Sequence, residues 1–343
     1  MSVAKDIYSI ILNKVKIMTK EEFKQLLKKL KNQTYKSSEL EIFTDFFEPA
    51  EFAERINDNE TIALAEALTQ NPHITNVCII NQNVGDIGAA NLAKVETIEK
   101  LNLWCNHIGP SGAIALTQTN IKILEMQGNI GRNANGDLYE KEQVLHVIEA
   151  LIKNKSIIEL NLQGTYIPDD LLAVLIGKNT TIKTLNLSDN YLTDEALKYI
   201  ANNKTLEYLN LSKNDISDKG AEYISKNTSL QTLGISKSKI TDIGAYFLSK
   251  HSNLKKLSMR DNNITIEGLK YILSNTIKKN NQLDEVVVDT EYNKISNDIL
   301  FAFYRKFNEI KAQQAIELLK VANDDDPIEP IILAGNMDEP ADS

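Results

Sequence analysis

The side chains best suited to acid–base, nucleophilic or metal chemistry are few in this sequence and are scattered along it. They lack the paired spacing that a zinc site, or a general base with its orienting partner, requires. The sequence also shows no glycine-rich phosphate loop and no nucleophile elbow. The histidines and cysteines are His73, His107, His146, His251, Cys78 and Cys105. The sequence therefore predicts no catalytic residue, no metal site and no cofactor.

A polar stretch between residues 130 and 142 comes closest to a ligand-binding loop. Asn133, Asn135, Asp137 and Glu142 follow part of the oxygen spacing of a calcium loop. Gly131 stands where the first aspartate of such a loop belongs, and no helix precedes the stretch. We therefore predict a protrusion inserted between two structural units, without a metal.

The recurring polar residues have a structural explanation, because they repeat at a fixed interval. Four copies of one pattern start at Ile182, Leu206, Leu230 and Leu254, each 24 residues after the one before. Weaker copies on both sides bring the total to about nine units. These copies start at Ile74, Ile98, Ile121, Ile157 and Leu283. Such a period is the signature of a solenoid, in which each unit buries its apolar face against the next.

Each unit reads as a short strand, a turn and a helix. In the third of the four strict copies, "LQTLGISKSKITDIGAYFL", alternating apolar residues mark the strand and "TDIG" marks the helix start. In the second copy, Leu209 and Leu211 face inward, and Ser217 or Asp218 can cap the helix. Aspartate recurs at this helix-start position in neighbouring units, which favours a capping role over acid catalysis.

An asparagine follows the strand in five units and is expected to form a ladder of buried amides. Asn214 is the member in the copy from Leu206. Its amide can satisfy backbone groups that are freed where the strand turns away. Gln82, Thr165 and Ser238 stand at the same place in other units, where we expect a weaker or rearranged ladder.

The repeat pattern LxxLxLxxNxIxxxGAxxL resembles the leucine-rich repeat of the ribonuclease-inhibitor-like class. Its 24-residue form, with "VGDIGAANL" and "IGPSGAIAL", is similar to the GALA-type repeats of bacterial effectors. The resemblance covers roughly residues 74–288 and implies an α/β fold: a horseshoe solenoid with a parallel concave β-sheet, convex helices, and helical N- and C-terminal caps. An F-box precedes the repeats in those effectors, but its leucine–proline start is not visible here, which argues against a ubiquitin-ligase adaptor.

The two ends of the chain do not carry the repeat. Capping boxes at Thr19 with Glu22 and at Ser38 with Glu41 predict helices, so residues 1–72 are expected to form a helical N-terminal cap. The repeats then occupy residues 73–295, and a C-terminal capping helix occupies 296–322. Residues 323–343 form an acidic tail that we expect to be disordered. The tail resembles the export signals of type IV effectors, although a solvated tail without a signal would look the same.

Composition limits the classes of partner. The net charge is −9, which argues against nucleic acid and anionic membranes as partners. No apolar run is long enough to span a membrane, and no secretory signal peptide is evident. Two cysteines in a chain of this length indicate free thiols in a reducing compartment. We expect a soluble, cytoplasmic monomer. The resemblance of the acidic tail to type IV export signals adds the expectation that the chain is translocated into a host cell.

Departures from the repeat on the concave face are the candidate partner-binding residues. Apolar side chains at the strand positions of the early units predict an exposed patch, unless the N-terminal helices fold over it. Tryptophan is the residue most enriched at binding hot spots. The patch consists of Ile80, Trp104, Cys105, Cys78 and Ile123, with Gln127 beside it. A second stripe, expected to be basic and polar, contains Tyr208, Lys213, Lys237, Lys256 and Arg260.

The leading hypothesis is a non-enzymatic protein-interaction module, a bacterial effector or adaptor, that binds an unidentified protein on its concave face. One ribonuclease-inhibitor-like family activates GTPases, and Arg132 on the predicted protrusion is the one plausible arginine finger for that activity. A purely structural scaffold is the third hypothesis. Capture of a partner and GTP hydrolysis with Arg132→Ala as the control would distinguish the three.

Overall fold

The molecule is built on a single sheet of ten parallel strands, and the order of the strands in the sheet is their order in the chain. The computed structural model describes residues 19–43, 55–131, 136–277, 282–289 and 293–323. The strands are β1 (Glu39–Phe43), β2 (Asn76–Ile80), β3 (Lys100–Asn102), β4 (Ile123–Glu125), β5 (Glu159–Asn161), β6 (Thr184–Asn186), β7 (Tyr208–Asn210), β8 (Thr232–Gly234), β9 (Lys256–Ser258) and β10 (Glu285–Val287). Each strand pairs in register with the next, so equivalent residues of successive units form straight rows.

A helical segment follows each strand, and these segments cover one face of the sheet. After β1 and β4 the helix begins later than the 24-residue repeat would place it. The helices are α1 (Lys20–Lys31), α2 (Asp58–Thr69), α3 (Asp86–Leu92), α4 (Pro110–Thr117), α5 (Lys141–Lys153), α6 (Asp169–Lys178), α7 (Asp218–Ser225), α8 (Asp242–Ser249), α9 (Ile266–Thr276) and α10 (Asn297–Asn323). Two 3-10 turns, Asp194–Leu197 and Ile200–Asn202, replace the helix between β6 and β7. The predicted leucine-rich-repeat solenoid is confirmed.

The core lies between the sheet and the helices and is continuous along the solenoid. The middle residue of each three-residue strand points into it, as Leu101, Leu160 and Leu209 do, with at most 2% of each side chain exposed. The flanking residues of the same strands are partly exposed on the opposite face. This alternation is the period-two signature of a sheet with one buried face.

The N-terminal region contains a strand where the sequence predicted a helix. Thr19 and Glu22 form the predicted capping box of α1: the Thr19 hydroxyl accepts the Glu22 backbone N–H at 3.2 Å, and the Glu22 carboxylate accepts the Thr19 N–H at 3.0 Å. The second predicted box, at Ser38 and Glu41, is wrong because residues 39–43 form β1. Leu40 and Ile42 are buried against the core while Glu39 and Glu41 are exposed, which is strand alternation.

Candidate functional site

The face of the sheet that the helices leave uncovered, here called the open face, carries three rows of side chains. Register fixes the first two rows, which flank the buried middle residue of each strand. The first row is Glu39, Asn76, Lys100, Ile123, Glu159, Thr184, Tyr208, Thr232, Lys256 and Glu285. The second is Glu41, Cys78, Asn102, Glu125, Asn161, Asn186, Asn210, Gly234, Ser258 and Val287. The third row, two residues further along each unit, includes Ile80, Trp104, Gln127 and Arg260.

The apolar patch predicted in the early units is smaller than expected. Ile80 is only 7% exposed, so the expectation that it lies on the surface is wrong. It is paired in register with Phe43 of β1, which is also buried, and the sequence had assigned that strand to a helix. Trp104 and Ile123 remain half-buried and reach the open face. They are the apolar side chains through which this part of the face can contact another protein.

A cleft of about 400 Å3 lies next to Trp104, at the end of the strands. Tyr166 and Asp189 line the same cleft, and Tyr166 stacks on Tyr191 with 5.7 Å between the ring centroids. The Trp104 backbone N–H donates to the Asn102 side chain at 3.0 Å, which fixes the backbone that carries the indole. The cleft therefore combines aromatic walls with a carboxylate.

The two thiols are free but are poor nucleophiles. Burial raises the pKa of Cys78 to about 12, and the neighbouring carboxylates of Glu41 and Glu125 add to the shift. Burial likewise raises the pKa of Cys105 to about 11. Both thiols are therefore protonated at neutral pH, and the thiolate is the reactive form. Cys105 contributes to the surface beside Trp104 as a small half-buried side chain.

Glu125 is the centre of a polar cluster between β3 and β4. Its carboxylate accepts hydrogen bonds from the side-chain nitrogens of Asn102 at 3.1 Å and of Gln127 at 3.3 Å. The Lys100 ammonium lies 3.6 Å away. Gln127 is 9% exposed, and its amide oxygen has no hydrogen-bond partner in the part of the chain that the structure describes. An unfilled acceptor thus stands beside a carboxylate.

The second stripe is present but is not basic, because its lysines are paired with acids. Three ion pairs account for them: Lys213 with Asp189 at 3.6 Å, Lys237 with Asp261 at 3.2 Å, and Lys256 with Glu285 at 2.9 Å. Arg260 is exposed, and Tyr208 is 37% exposed. The expectation of a positively charged stripe is therefore wrong, since this part of the surface is close to neutral.

The structure gives no support to a catalytic or metal-binding reading within the residues it describes. No group of three or more histidine, cysteine or acidic side chains is placed to hold a metal ion there. The histidines do not come together: His251 is buried, and burial lowers its pKa to about 4. Across these same residues, no helix is both long and apolar enough to cross a bilayer. Arg132, Asn133 and Asn135 lie outside the described residues.

The acidic side chains of β1 are the open-face residues that the sequence analysis missed. The segment "ELEIF" alternates polar and apolar residues over its first four positions, which indicates a half-buried strand. The capping-box pattern at Ser38 competed with that signal and favoured a helix. Read as a strand, the segment would have placed Glu39 and Glu41 on the open face.

The comparisons with known proteins agree with this architecture. A family model described as "Leucine Rich repeat" matches residues 96–116, 178–201, 202–225, 226–249 and 250–273. No curated protein sequence matches the chain.

Two solved structures are similar to this chain at low sequence identity. A crystal structure of an internalin C2 from Listeria monocytogenes is 23% identical, with a TM-score of 0.45, over 65% of this chain and 84% of the internalin. A second internalin from the same organism, internalin F, is 19% identical, with a TM-score of 0.40, over 68% and 72% of the two chains. The chain contains leucine-rich repeats and has the fold of a leucine-rich-repeat solenoid, built on ten parallel strands.

Proposed function

We propose that this chain is a non-enzymatic protein-interaction module that holds a protein partner against its open face. The observation that carries the proposal is the position of Trp104, the single tryptophan of the sequence, half-buried beside an aromatic cleft on the face that no described helix covers. Stacked repeats commonly present such extended surfaces to partners. Tryptophan in a pocket-like setting is typical of an interface hot spot.

Ile123 and Tyr208 extend the proposed contact area along the sheet. They line opposite sides of a groove of about 240 Å3 on the open face, between β4 and β7. Burial raises the pKa of Tyr208, so its hydroxyl stays protonated and can donate a hydrogen bond at neutral pH. Aromatic and aliphatic side chains around grooves, with polar neighbours, match the composition of non-obligate interfaces.

The test is affinity capture with the intact chain as bait, followed by measurement of the Kd of the captured partner. Trp104→Ala is expected to weaken binding at least about tenfold, as truncation of a hot-spot residue does. Phe301→Ala is the matched control, because Phe301 is an aromatic side chain 76% exposed on α10, away from the open face. Equal affinities for the two variants would contradict the proposal, and capture of no partner would favour a structural scaffold.

The effector role is a finer part of the same proposal and depends on the resemblance of the repeats to those of bacterial effectors. In that role the chain would act in a host cell after export through residues 323–343, which contain seven acidic and no basic side chains. A translocation assay with a reporter fused to the intact chain, and to a chain lacking residues 323–343, tests this. Equal delivery of both fusions would rule out an export signal in the tail.

A further inference from the structure

The open face is divided into two halves of different charge. Over β1 to β5 its first two rows contain four acids, Glu39, Glu41, Glu125 and Glu159, and one base, Lys100, which gives a net charge of −3. Over β6 to β10 the same rows contain Lys256 and Glu285, which form an ion pair, so the net charge is zero. The lysines along the rim of the second half, Lys213 and Lys237, are also in ion pairs, so they add no net charge there.

Most of the carboxylates of this acidic half, defined as the open-face positions of β1 to β5, are available to a ligand. Glu41 and Glu159 are exposed and make no ion pair with any described residue. Among the described residues, the Glu39 carboxylate accepts one hydrogen bond, from the Asn76 amide at 3.2 Å. A groove of about 300 Å3 lies over β1, β2 and β3 and is lined by Glu39, Glu41 and Lys100. At the floor of the groove, burial raises the pKa of the Cys78 thiol, and the carboxylates of Glu41 and Glu125 add to the shift.

The unpaired oxygen of Gln127 points independently to a ligand that donates hydrogen bonds. The nitrogen of this amide donates to Glu125, and the oxygen of the same amide is buried without a hydrogen-bond partner among the described residues. An ammonium or guanidinium group supplies N–H donors for both acceptors, and the planar fork of arginine presents two of them in a fixed geometry. The Gln127 oxygen has no donor among the described residues, and a positively charged side chain would provide one.

We infer that the partner presents a positively charged segment, with at least one arginine, to the acidic half of the open face. This inference rests on the proposed function and adds the chemistry of the partner to it. Neighbouring strands lie about 4.8 Å apart, so the acids of β1 and β5 are about 19 Å apart. An extended segment of about six residues spans that distance. Its arginine binds Glu125 and Gln127, and its apolar residues contact Ile123 and Trp104.

Two fluorescent nine-residue peptides serve as probes, one repeating the triplet Arg-Ala-Leu and the other Lys-Ala-Leu. Binding is measured by anisotropy at low and high salt. The triple variant Glu39→Gln, Glu41→Gln, Glu159→Gln is expected to bind both peptides about tenfold more weakly. Its matched control, Glu66→Gln, Glu149→Gln, Glu195→Gln, makes the same change in net charge on exposed helical positions and is expected to bind within about twofold of the parent chain.

Two single variants sharpen the test. Lys100→Gln releases Glu125 from its one ion pair and is expected to tighten binding about threefold, a gain that misfolding cannot imitate. Gln127→Met removes the unpaired acceptor with little change in volume and is expected to weaken the arginine peptide more than the lysine peptide. If Gln127→Met abolishes the difference in affinity between the arginine and lysine peptides, the proposed arginine contact is supported. If that difference is unchanged, the contact is overturned.

The outcomes separate this inference from the proposed function. Equal loss in the two triple variants, or no peptide binding at low salt, would overturn the inference of a positively charged partner. A captured protein whose affinity falls with Trp104→Ala but not with the open-face triple variant would also overturn it, while leaving the proposed function intact. Failure to capture any partner, by contrast, would count against the proposed function itself.

Discussion

Asparagine amides connect neighbouring units of the solenoid from within. The Asn214 side chain donates to the carbonyls of Leu187 and Leu211, both at 2.9 Å. Its oxygen accepts the backbone N–H groups of Asn190 at 3.0 Å and of Leu192 at 2.9 Å. The Asn214 amide thus satisfies four backbone groups that water cannot reach, which explains why asparagine recurs at this place.

Ser238 breaks this ladder, and its replacement should stabilise the protein. Its hydroxyl is buried and has no hydrogen-bond partner among the described residues. In Ser238→Asn the new amide would bond to the Leu211 carbonyl and to the N–H groups of Asn214 and Ile216, as Asn214 does one unit earlier. We expect the free energy of unfolding to rise by about 1 kcal/mol, measured by urea denaturation. Ser238→Ala is the control, and an equal gain there would show that the amide bonds are not the cause.

His251 interrupts a second ladder, at the ends of the helices. One unit earlier Asn227 donates to the carbonyls of Ile200 at 2.8 Å and Asn203 at 2.9 Å. His251 accepts the Asn253 N–H at 3.2 Å through Nδ1, but its Nε2 is buried without a partner in the described chain. The histidine therefore fills the position but makes neither of the two bonds to the preceding unit that Asn227 makes.

His251 should make the stability of the protein depend on pH. Burial lowers the folded-state pKa of His251 to about 4, below the ordinary value of about 6.5. The unfolded chain therefore binds the proton more tightly, so the stabilisation from the neutral imidazole is complete above pH 6.5 and is lost as the pH falls towards 4. The full loss is about 3 kcal/mol. His251→Asn should flatten that part of the pH profile of Tm, and an unchanged profile would assign the acid sensitivity to other groups.

At the scale of the element, an aspartate at the start of one helical segment caps the helix of the next unit in most of the repeats. The sequence offered Ser217 or Asp218 as the cap of α7; Ser217 is that cap, and Asp218 caps the next helix instead. One of its carboxylate oxygens accepts the backbone N–H of Thr241 at 2.8 Å and of Gly244 at 2.9 Å, both in the first turn of α8 or just before it. Its own helix is capped by Ser217. The contact is therefore a bond between units.

Glycine at the third helical position is required by this cap. A Cβ atom on Gly244 would lie 2.4 Å from the Asp218 carboxylate oxygen. Between β6 and β7 the position holds Ala196, and there the N–H of residue 196 bonds to the Thr193 carbonyl while Asp169 reaches only Thr193. The helix is replaced by two 3-10 turns in that unit alone among the described repeats. Glycine recurs at this place of the repeat because a carboxylate from the neighbouring unit occupies the space that a side chain would need.

Asp218→Ala should therefore cost far more than removal of an ordinary surface carboxylate. Two N–H groups at the start of α8 lose their acceptor, and we expect unfolding to become easier by about 2 kcal/mol. Asp215→Ala is the matched control, because Asp215 makes only an exposed ion pair with Lys239 and should change stability by less than about 0.5 kcal/mol. Equal Tm shifts for the two variants would refute the cap between units.

At the scale of the whole molecule, the structural features that recur in every unit could be predicted from the sequence. Features that occur in one unit only could not. The period of 24 residues fixed the strands, the buried rows and the asparagine ladder, because every unit repeats the same hydrophobic and amide pattern. It could not reveal β1, which no neighbouring copy resembles closely. The ion pairs of Lys213 and Lys237 were also missed, since each pair joins residues of different units across the sheet. Charge on a solenoid surface depends on register between units, which only the structure supplies.

A substitution beside the last strand, β10, can show whether a loss of stability at one end spreads along the solenoid or stays local. The Tyr304 hydroxyl of α10 accepts the Val288 N–H at 2.8 Å and donates to the Val288 carbonyl at 2.9 Å, beside the edge of β10. Tyr304→Phe removes both bonds and keeps the packed ring, at a cost of about 1 to 2 kcal/mol. In a stack where each unit contacts only its neighbours, the loss should stay near that end.

Hydrogen exchange measured strand by strand gives the readout for Tyr304→Phe. The amides of Val286 and Val288 should exchange faster in the variant, while those of Leu101 and Leu124, far along the sheet, should be unchanged. Tyr199→Phe is the control, because that side chain is 41% exposed between the two 3-10 turns and its hydroxyl makes no hydrogen bond to the described residues of the sheet. Uniform acceleration in all strands would mean that the solenoid opens as one cooperative unit, and that α10 stabilises the whole sheet from one end.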